Sequence, residues 1–413
     1  MASTIDSAPD LLRPAGQPLI FKFSTSATVT AGFRFAVRVY ESTTTAVGSV
    51  IGTFYITPDA SDEGYFDLSD IAEGRVSAPN TYYDTGLTAN AVVHTATANQ
   101  NLSLEAPVLY YRVGVQDYTG GTLGSDDATA DIYLLGGAQQ ISQGLHPSFS
   151  TYYPTTTSTK GWLTDRILSN KNITMTMADE DEGVGVICHT TNLGTISDWA
   201  GIEFNLYKDG SIVQQRTYAV TASAVMASNY FIFPIGPANL QPAVFVGLWD
   251  PDWDQLRIYA TDSASAGGSK RSGALIINRD CRPIKHDPVQ LAWANTVGAW
   301  DYLRFDGRNL KTLATESKDY RQSVGFDFKA WDRQATPYHK TGKESYQLRN
   351  QLFTSDERDL LQYAFRSKNV MFRVGSGDWL PCNIVTNTYQ VIPAASKTFD
   401  VSFQIELAQD IRC

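Results

Sequence analysis

The sequence predicts a mainly β protein with two β-sandwich-like units in series, followed by a small α+β C-terminal domain. Three observations support this fold class. Short segments alternate apolar and polar residues with a period of two, turn-forming residues separate those segments, and one amphipathic helix stands near the C-terminus. The chain has 413 residues, which is enough for two or three domains.

Residues 1–142 are expected to form the first β-sandwich-like domain. Apolar side chains alternate with polar or small ones through Phe33–Val39 and again through Tyr111–Val115. A Gly-rich turn then leads back into Ile132–Leu135, which predicts a hairpin. The Thr-, Ala- and Asn-rich stretch 85–101 shows no alternation and is predicted to be a long loop.

Residues 143–171 are predicted to be a linker or arm, because Pro, Ser and Thr dominate 143–161 and periodicity is lost there. Such a segment has no core of its own, so we expect it to lie at an interface. Residues 172–280 are expected to form the second β-sandwich-like domain. Its clearest signal is Asp209-Gly210 between two alternating runs, which predicts a two-residue hairpin turn with positive φ at both positions.

Residues 281–413 are expected to form the α+β domain, with one helix near 355–367. Thr354 and Glu357 have the spacing of a capping box at the start of this helix. One face of the helix is apolar and consists of Leu360, Leu361, Ala364 and Phe365. The run 399–407 alternates strictly between apolar and polar residues and predicts a strand with one buried face.

Charge, cysteine usage and hydropathy limit the classes of partner. The net charge is −10, so direct binding to nucleic acid is not expected. The four cysteines are far apart, which excludes zinc ribbons and dense disulfide frameworks but leaves one disulfide or free buried thiols. The N-terminus lacks the features of a signal peptide, and no apolar run is long enough for membrane insertion.

The sequence contains no recognisable catalytic, cofactor-binding or metal-binding motif. The five histidines have no metal-ligand spacing, and hydrolase and nucleotide-binding signatures are absent, so we predict a protein without enzymatic activity and without a cofactor. Two acidic runs, 179–182 and 250–254, are calcium candidates by composition. We interpret the first as a solvated turn, and the second as a turn anchored by aromatic residues.

The stretch 292–305 concentrates large aromatic residues among small ones. Two functions are open for it: structural packing, which we favour, and a ligand platform. If the stretch is a packing segment, its short polar side chains hold a turn by hydrogen bonds to the backbone. The candidate structural or interface residues are Trp293, Asn295, Trp300, Asp301 and Phe305.

This stretch also carries a resemblance to a known family. The pattern consists of Cys281, Pro283, Pro288, Leu291, Trp293, Asn295, Gly298, Trp300, Asp301, Phe305 and Gly307. It resembles a module in virion structural proteins of tailed bacteriophages, including crAss-like and other phages of Bacteroidetes and marine hosts. Ala299 stands where that pattern has a second glycine. Diffuse similarity, as in 64–76, extends over most of the chain.

The resemblance implies a non-enzymatic structural component of a tailed-phage virion, located in the tail, baseplate or neck. Its partners would be copies of itself in a symmetric ring or sleeve, together with other virion proteins. Such a chain would be made in the host cytoplasm without a signal peptide. The alternatives are a fibre or adhesin that binds the host surface and a hydrolase acting on polysaccharide or the cell wall.

Overall fold

The computed structural model describes most of the chain. The described residues are 2–9, 12–42, 48–73, 75–76, 94–95, 108–121, 123–136, 161–166, 172–188, 200–220, 230–263, 265–282, 285–321, 335–350, 355–385, 401–408 and 411–412. The fold is mainly β, as the sequence predicts, and no helix in the described part is long and apolar enough to span a membrane. The chain forms two compact units: unit 1 comprises Met1–Cys281 with Ala294–Asp301, and unit 2 comprises Arg282–Trp293 with Tyr302–Cys413.

The first part of unit 1 is a sandwich of a three-stranded and a five-stranded sheet, ordered β1-β3-β6 and β2-β9-β8-β4-β5. The elements are β1 (Ser3–Ser7), β2 (Leu12–Pro14), β3 (Ile20–Thr25), β4 (Arg34–Ser42), β5 (Ser49–Ile56), β6 (Gly64–Asp67), α1 (Ser69–Ala72), β7 (His94–Thr95), β8 (Val108–Tyr118) and β9 (Ala128–Leu135).

The apolar side of each sheet of this sandwich faces a shared core. Phe23 on β3 contacts Phe35 on β4, with ring centroids 6.1 Å apart. The alternating residues of β4 and β8 that the sequence predicted to be buried are buried. The hairpin between β8 and β9 is confirmed by antiparallel pairing.

The second part of unit 1 is another sandwich, with sheets ordered β10-β16-β15-β12-β13 and β11-β14-β7. Its further elements are β10 (Ile173–Met177), β11 (Val184–Cys188), β12 (Gly201–Lys208), β13 (Ser211–Ala219), β14 (Tyr230–Pro234), α2 (Pro237–Ala243), β15 (Gln255–Thr261) and β16 (Leu275–Arg279). Phe204 of β12 meets Phe233 of β14 edge-on at 5.9 Å. The predicted turn is confirmed, with φ of 52° at Asp209 and 73° at Gly210.

The predicted loop 85–101 is wrong at two residues. His94 and Thr95 form β7 and pair with Ile232 and Phe231 of β14. The chain of the first sandwich therefore supplies a strand to the second, a long-range pairing that local composition does not encode.

The two sandwiches repeat one strand order, a relation that the sequence does not reveal. The two five-stranded sheets become equivalent when the order β2-β9-β8-β4-β5 is matched, strand by strand, with the order β10-β16-β15-β12-β13. The pair β3-β6 of the first sandwich then corresponds to the pair β11-β14 of the second. The same edge pair is parallel in both sheets, β2 with β9 and β10 with β16. A short helix follows the last strand of each smaller pair. Unit 1 is thus built from two sandwiches of like topology.

Unit 2 contains one sheet with the order β18-β17-β21-β22-β23-β20-β19, and a short strand pairs beside β20. Its elements are β17 (Val289–Ala294), β18 (Trp300–Phe305), β19 (Leu310–Arg321), β20 (Ala335–Asn350), α3 (Ser355–Arg366), β21 (Val370–Val374), β22 (Leu380–Ile384), β23 (Val401–Leu407) and β24 (Ile411–Arg412). The residues Ala294, Trp300 and Asp301 at the inner ends of β17 and β18 belong to unit 1.

The sheet of unit 2 curls round on itself. The Gly307 N–H donates to the Arg349 carbonyl at 3.1 Å, and the Asn350 side-chain amide donates to the Arg304 carbonyl at 3.2 Å. These bonds join the end of β18 to the end of β20. The predicted helix near 355–367 is confirmed as α3, whose apolar face packs into the core; Thr354 of the predicted capping box lies outside the described residues.

Candidate functional site

All five candidate residues of the aromatic-rich stretch are buried. The exposed fraction is 0% for Trp293 and Phe305, 2% for Asn295 and Asp301, and 3% for Trp300. A ligand platform needs an accessible aromatic face, and these tryptophans offer none. The burial therefore supports the packing interpretation over the ligand platform.

Asn295 organises the turn between β17 and β18. Its side-chain carbonyl accepts hydrogen bonds from the Val297 N–H at 3.2 Å and the Ala299 N–H at 2.8 Å. The backbone N–H of Asn295 donates to the Ala299 carbonyl at 2.8 Å. The prediction that Asn295 holds the turn by side-chain to backbone bonds is confirmed.

Gly298 is the position of this turn that requires glycine. Its φ is +86°, a conformation that residues with a Cβ rarely adopt. A Cβ there would lie 2.1 Å from the Gly136 carbonyl oxygen and 2.9 Å from the Cβ of Leu135. Ala299 has no positive φ, so alanine causes no strain at the position where the phage pattern has its second glycine.

Asp301 joins this turn to a distant segment of unit 1. Its carboxylate accepts from the Thr164 hydroxyl, from the Asp165 N–H at 2.8 Å and from the Asn295 side-chain amide at 3.2 Å. The amide of Asn295 also donates to the Leu163 carbonyl at 3.0 Å. We predicted that Asp301 would bond to the backbone of its own turn. Its carboxylate instead reaches the backbone of residue 165, because a hairpin tip buried against another segment must satisfy that segment's donors as well.

A reciprocal contact runs in the opposite direction. The Asp165 carboxylate accepts from the Thr296 N–H at 2.9 Å and from the Thr296 hydroxyl. Trp162 fixes the receiving segment, since its indole N–H donates to the Gly273 carbonyl at 2.8 Å and its ring meets Phe233 at 5.6 Å. We call Leu163–Asp165 together with Asn295–Asp301 the clasp. Its chemistry is that of a structural network, because its carboxylates accept from neighbouring protein donors.

Trp293 and Phe305 belong to the core of unit 2. Phe305 meets Phe403 at 5.3 Å in an edge-on contact. The indole nitrogen of Trp293 is buried and has no hydrogen-bond partner among the described residues. An unsatisfied buried N–H costs stability, so the contribution of this side chain to the fold lies in the volume that its ring fills.

The first acidic run, 179–182, has a structural role and is not fully solvated. Asp181 is 3% exposed and accepts from the Ala178 N–H at 2.8 Å. Asp179 accepts from the indole of Trp253 at 2.9 Å and from Arg279 at 2.6 Å. The expectation of a solvated turn is wrong at Asp181, because its side chain caps the backbone of the turn in which it lies.

The second acidic run is a turn anchored by tryptophans, as we interpreted it. Trp253 is fully buried and contacts Trp249 at 5.5 Å. Lys208 lies 3.4 Å from Asp250 and 3.1 Å from Asp252, and the backbone N–H of residue 252 lowers the pKa of Asp250. Within the described ranges, no three His, Cys, Asp or Glu residues form a group suited to a metal ion.

Two structural features were not predictable from the local sequence. Residues 161–166 fall inside the predicted linker 143–171, yet Trp162, Leu163 and Thr164 are buried in unit 1. Residues 143–160 of that linker lie outside the described part of the chain, so their expected place at an interface stays a prediction. The second feature is the pair β19 and β20, which extends over 12 and 16 residues.

Comparisons with known proteins do not identify a relative. No protein-family model and no curated protein matches the sequence. Among solved structures, a chain described as a marsupial T cell receptor is 9% identical with a TM-score of 0.19, covering 84% of this chain and 95% of that one. A second chain of the same description is 7% identical with a TM-score of 0.18, covering 83% and 95%. Similarity at this level carries no argument about function.

Proposed function

We propose that this chain is a non-enzymatic structural component of a tailed-phage virion, which assembles as a symmetric homo-oligomer in the tail, baseplate or neck. The virion setting follows from the sequence resemblance around Trp293–Gly307. The exposed strand pair of unit 2 supports the assembly role.

One observation carries the assembly role: every residue of β19 is exposed. Leu313 and Tyr320 on this strand are 53% and 45% exposed. An isolated two-stranded ribbon is only marginally stable in water, and the open edge of a long strand is a ready template for pairing. A strand of this length offers neighbouring subunits a long surface against which they can pack.

Sedimentation velocity and negative-stain electron microscopy of the purified chain test the proposal. We expect a discrete oligomer with closed symmetry, and mass spectrometry of purified virions should detect the chain as a particle component. A protein that stays monomeric and is absent from particles would contradict the proposal. Binding of monomers to host cells would favour the fibre or adhesin, and turnover of peptidoglycan or capsule sugars would favour the hydrolase.

A further inference from the structure

The β19–β20 arm, comprising Leu310–Arg321 and Ala335–Asn350, is anchored in the sheet of unit 2 at its Asn350 end and has little support from unit 2 beyond that end. β20 pairs with β23 only from Ser345 to Asn350 and with β24 only at Thr341 and Gly342. Between Ala335 and Lys340, β20 pairs with β19 and with no other strand in the described part of the chain. At about 3.4 Å per residue, β19 is about 40 Å long.

The arm is basic, although the chain as a whole is acidic. It contains six Lys and Arg residues and three Asp and Glu residues, for a net charge of +3. Because the whole chain carries −10, the remainder carries −13. Lys311 forms an ion pair with Glu344 at 2.7 Å. Lys318, Arg321, Lys340 and Lys343 form no salt bridge with another described residue.

We propose that the β19–β20 arm docks on an acidic surface of a second copy of this chain. This inference rests on the proposed function for the existence of a homo-oligomer and adds the element, the partner surface and the chemistry. Exposed cations gain from an anionic partner and steer its approach, and the remainder of every copy supplies that negative charge. Arm-to-arm pairing would bring two positive elements together and is therefore disfavoured. The contact is heterologous, so it generates a ring if its rotation closes.

A charge-reversal variant tests the arm directly. Lys318→Glu with Lys340→Glu reverses two cations of the arm at exposed positions. The matched control is Lys285→Glu with Lys368→Glu, which changes the net charge equally at exposed positions of unit 2 outside the arm. Self-association is measured by sedimentation velocity at about 0.1 M and about 1 M salt, where the Debye length falls from about 10 Å to about 3 Å. Thermal melts verify that both variants are folded.

We expect the arm variant to raise the dissociation constant of self-association by roughly tenfold or more, the control to match the wild type, and high salt to weaken the wild type. Labelled arm variant should still bind wild-type protein, because it keeps the acidic surface. The arm proposal is overturned if the wild type self-associates and neither the arm variant, the control variant nor high salt changes the dissociation constant. The homo-oligomer of the proposed function would still stand in that case. A wild type that is monomeric at every salt concentration overturns the proposed function as well.

Discussion

Loss of the Asp301 carboxylate should weaken unit 1 far more than loss of a neighbouring carboxylate. Asp301→Ala removes the acceptor of three hydrogen bonds while the Thr164 hydroxyl, the Asp165 N–H and the Asn295 amide remain. A buried donor left without an acceptor costs about 1–3 kcal/mol. Two of the three bonds are buried and the third is partly buried, so we expect the free energy of unfolding to fall by about 3–6 kcal/mol.

The assay is thermal and urea denaturation followed by tryptophan fluorescence. At about 2–4 °C per kcal/mol for a domain of about 150–250 residues, the melting temperature should fall by roughly 6–24 °C. The control is Asp306→Ala, which removes a partly exposed carboxylate paired with Arg282 at 3.1 Å. Exposed ion pairs contribute little, so the control should cost less than about 1 kcal/mol.

Hydrogen exchange locates the effect, because a chain with two units need not unfold in one step. Amides of residues 163–165 and 295–301 should exchange faster together in Asp301→Ala, since each segment satisfies donors of the other. Asp301→Asn keeps one acceptor oxygen and should fall between the wild type and the alanine variant. An Asp301→Ala protein as stable as Asp306→Ala, or loss of protection in only one of the two segments, would contradict the proposed role of the clasp.

Three further predictions concern other positions. Gly298→Ala should lower the melting temperature, because its backbone has a positive φ and the added methyl group would meet a carbonyl oxygen at 2.1 Å; an unchanged melt would contradict this. Burial acts to raise the pKa of Glu203, but the hydrogen bonds from Lys270, Asn205 and the Gly267 N–H together with the charge of Lys270 outweigh it, so the pKa is lowered. These contacts therefore stabilise the fold above about pH 4.5 and lose this contribution as pH falls through the folded value, and Glu203→Gln should unfold with a flatter acid dependence in pH-jump melts. Peptide mapping after iodoacetamide treatment should find exposed Cys281 labelled in the native protein and Cys382 labelled only after unfolding, because burial raises the pKa of the Cys382 thiol to about 12.

Several elements with one buried face were predictable from the sequence. Alternation in β4, β8 and β23 predicted strands because apolar and polar environments there also alternate. The turn at Asp209-Gly210 was predictable because few residue pairs accept positive φ at both positions. The face of α3 followed from the period of its leucines.

Sequence-based prediction failed where the environment is set by distant partners. β19 is exposed on both faces, so selection leaves no apolar alternation in it, and its strand state follows from pairing with β20. Residues 161–166 were assigned to the linker because they follow the Pro-, Ser- and Thr-rich stretch 143–161, but Trp162 packs against Phe233 in a core that no local pattern predicts. The turn contacts of Asn295 were predictable from its short side chain. Asp301 bonds to residues 164 and 165, which precede it by 137 and 136 positions in the sequence. No local pattern predicts a contact over such a separation.

The repeated strand order of unit 1 shows that different residues can build the same sandwich topology. On the equivalent strands β4 and β12, Phe35 and Val37 face one core and Ile202 and Phe204 face the other, so the period is kept while the residues differ. Any apolar side chain of suitable volume satisfies such a position. The outward-facing side chains differ even in the sign of their charge. Arg38 of β4 is a cation that pairs with a carboxylate, whereas the buried carboxylate of β12 is an anion that pairs with a lysine. The same strand order therefore forms from two dissimilar sequences, because period-two burial and pairing partners define it and particular residues do not.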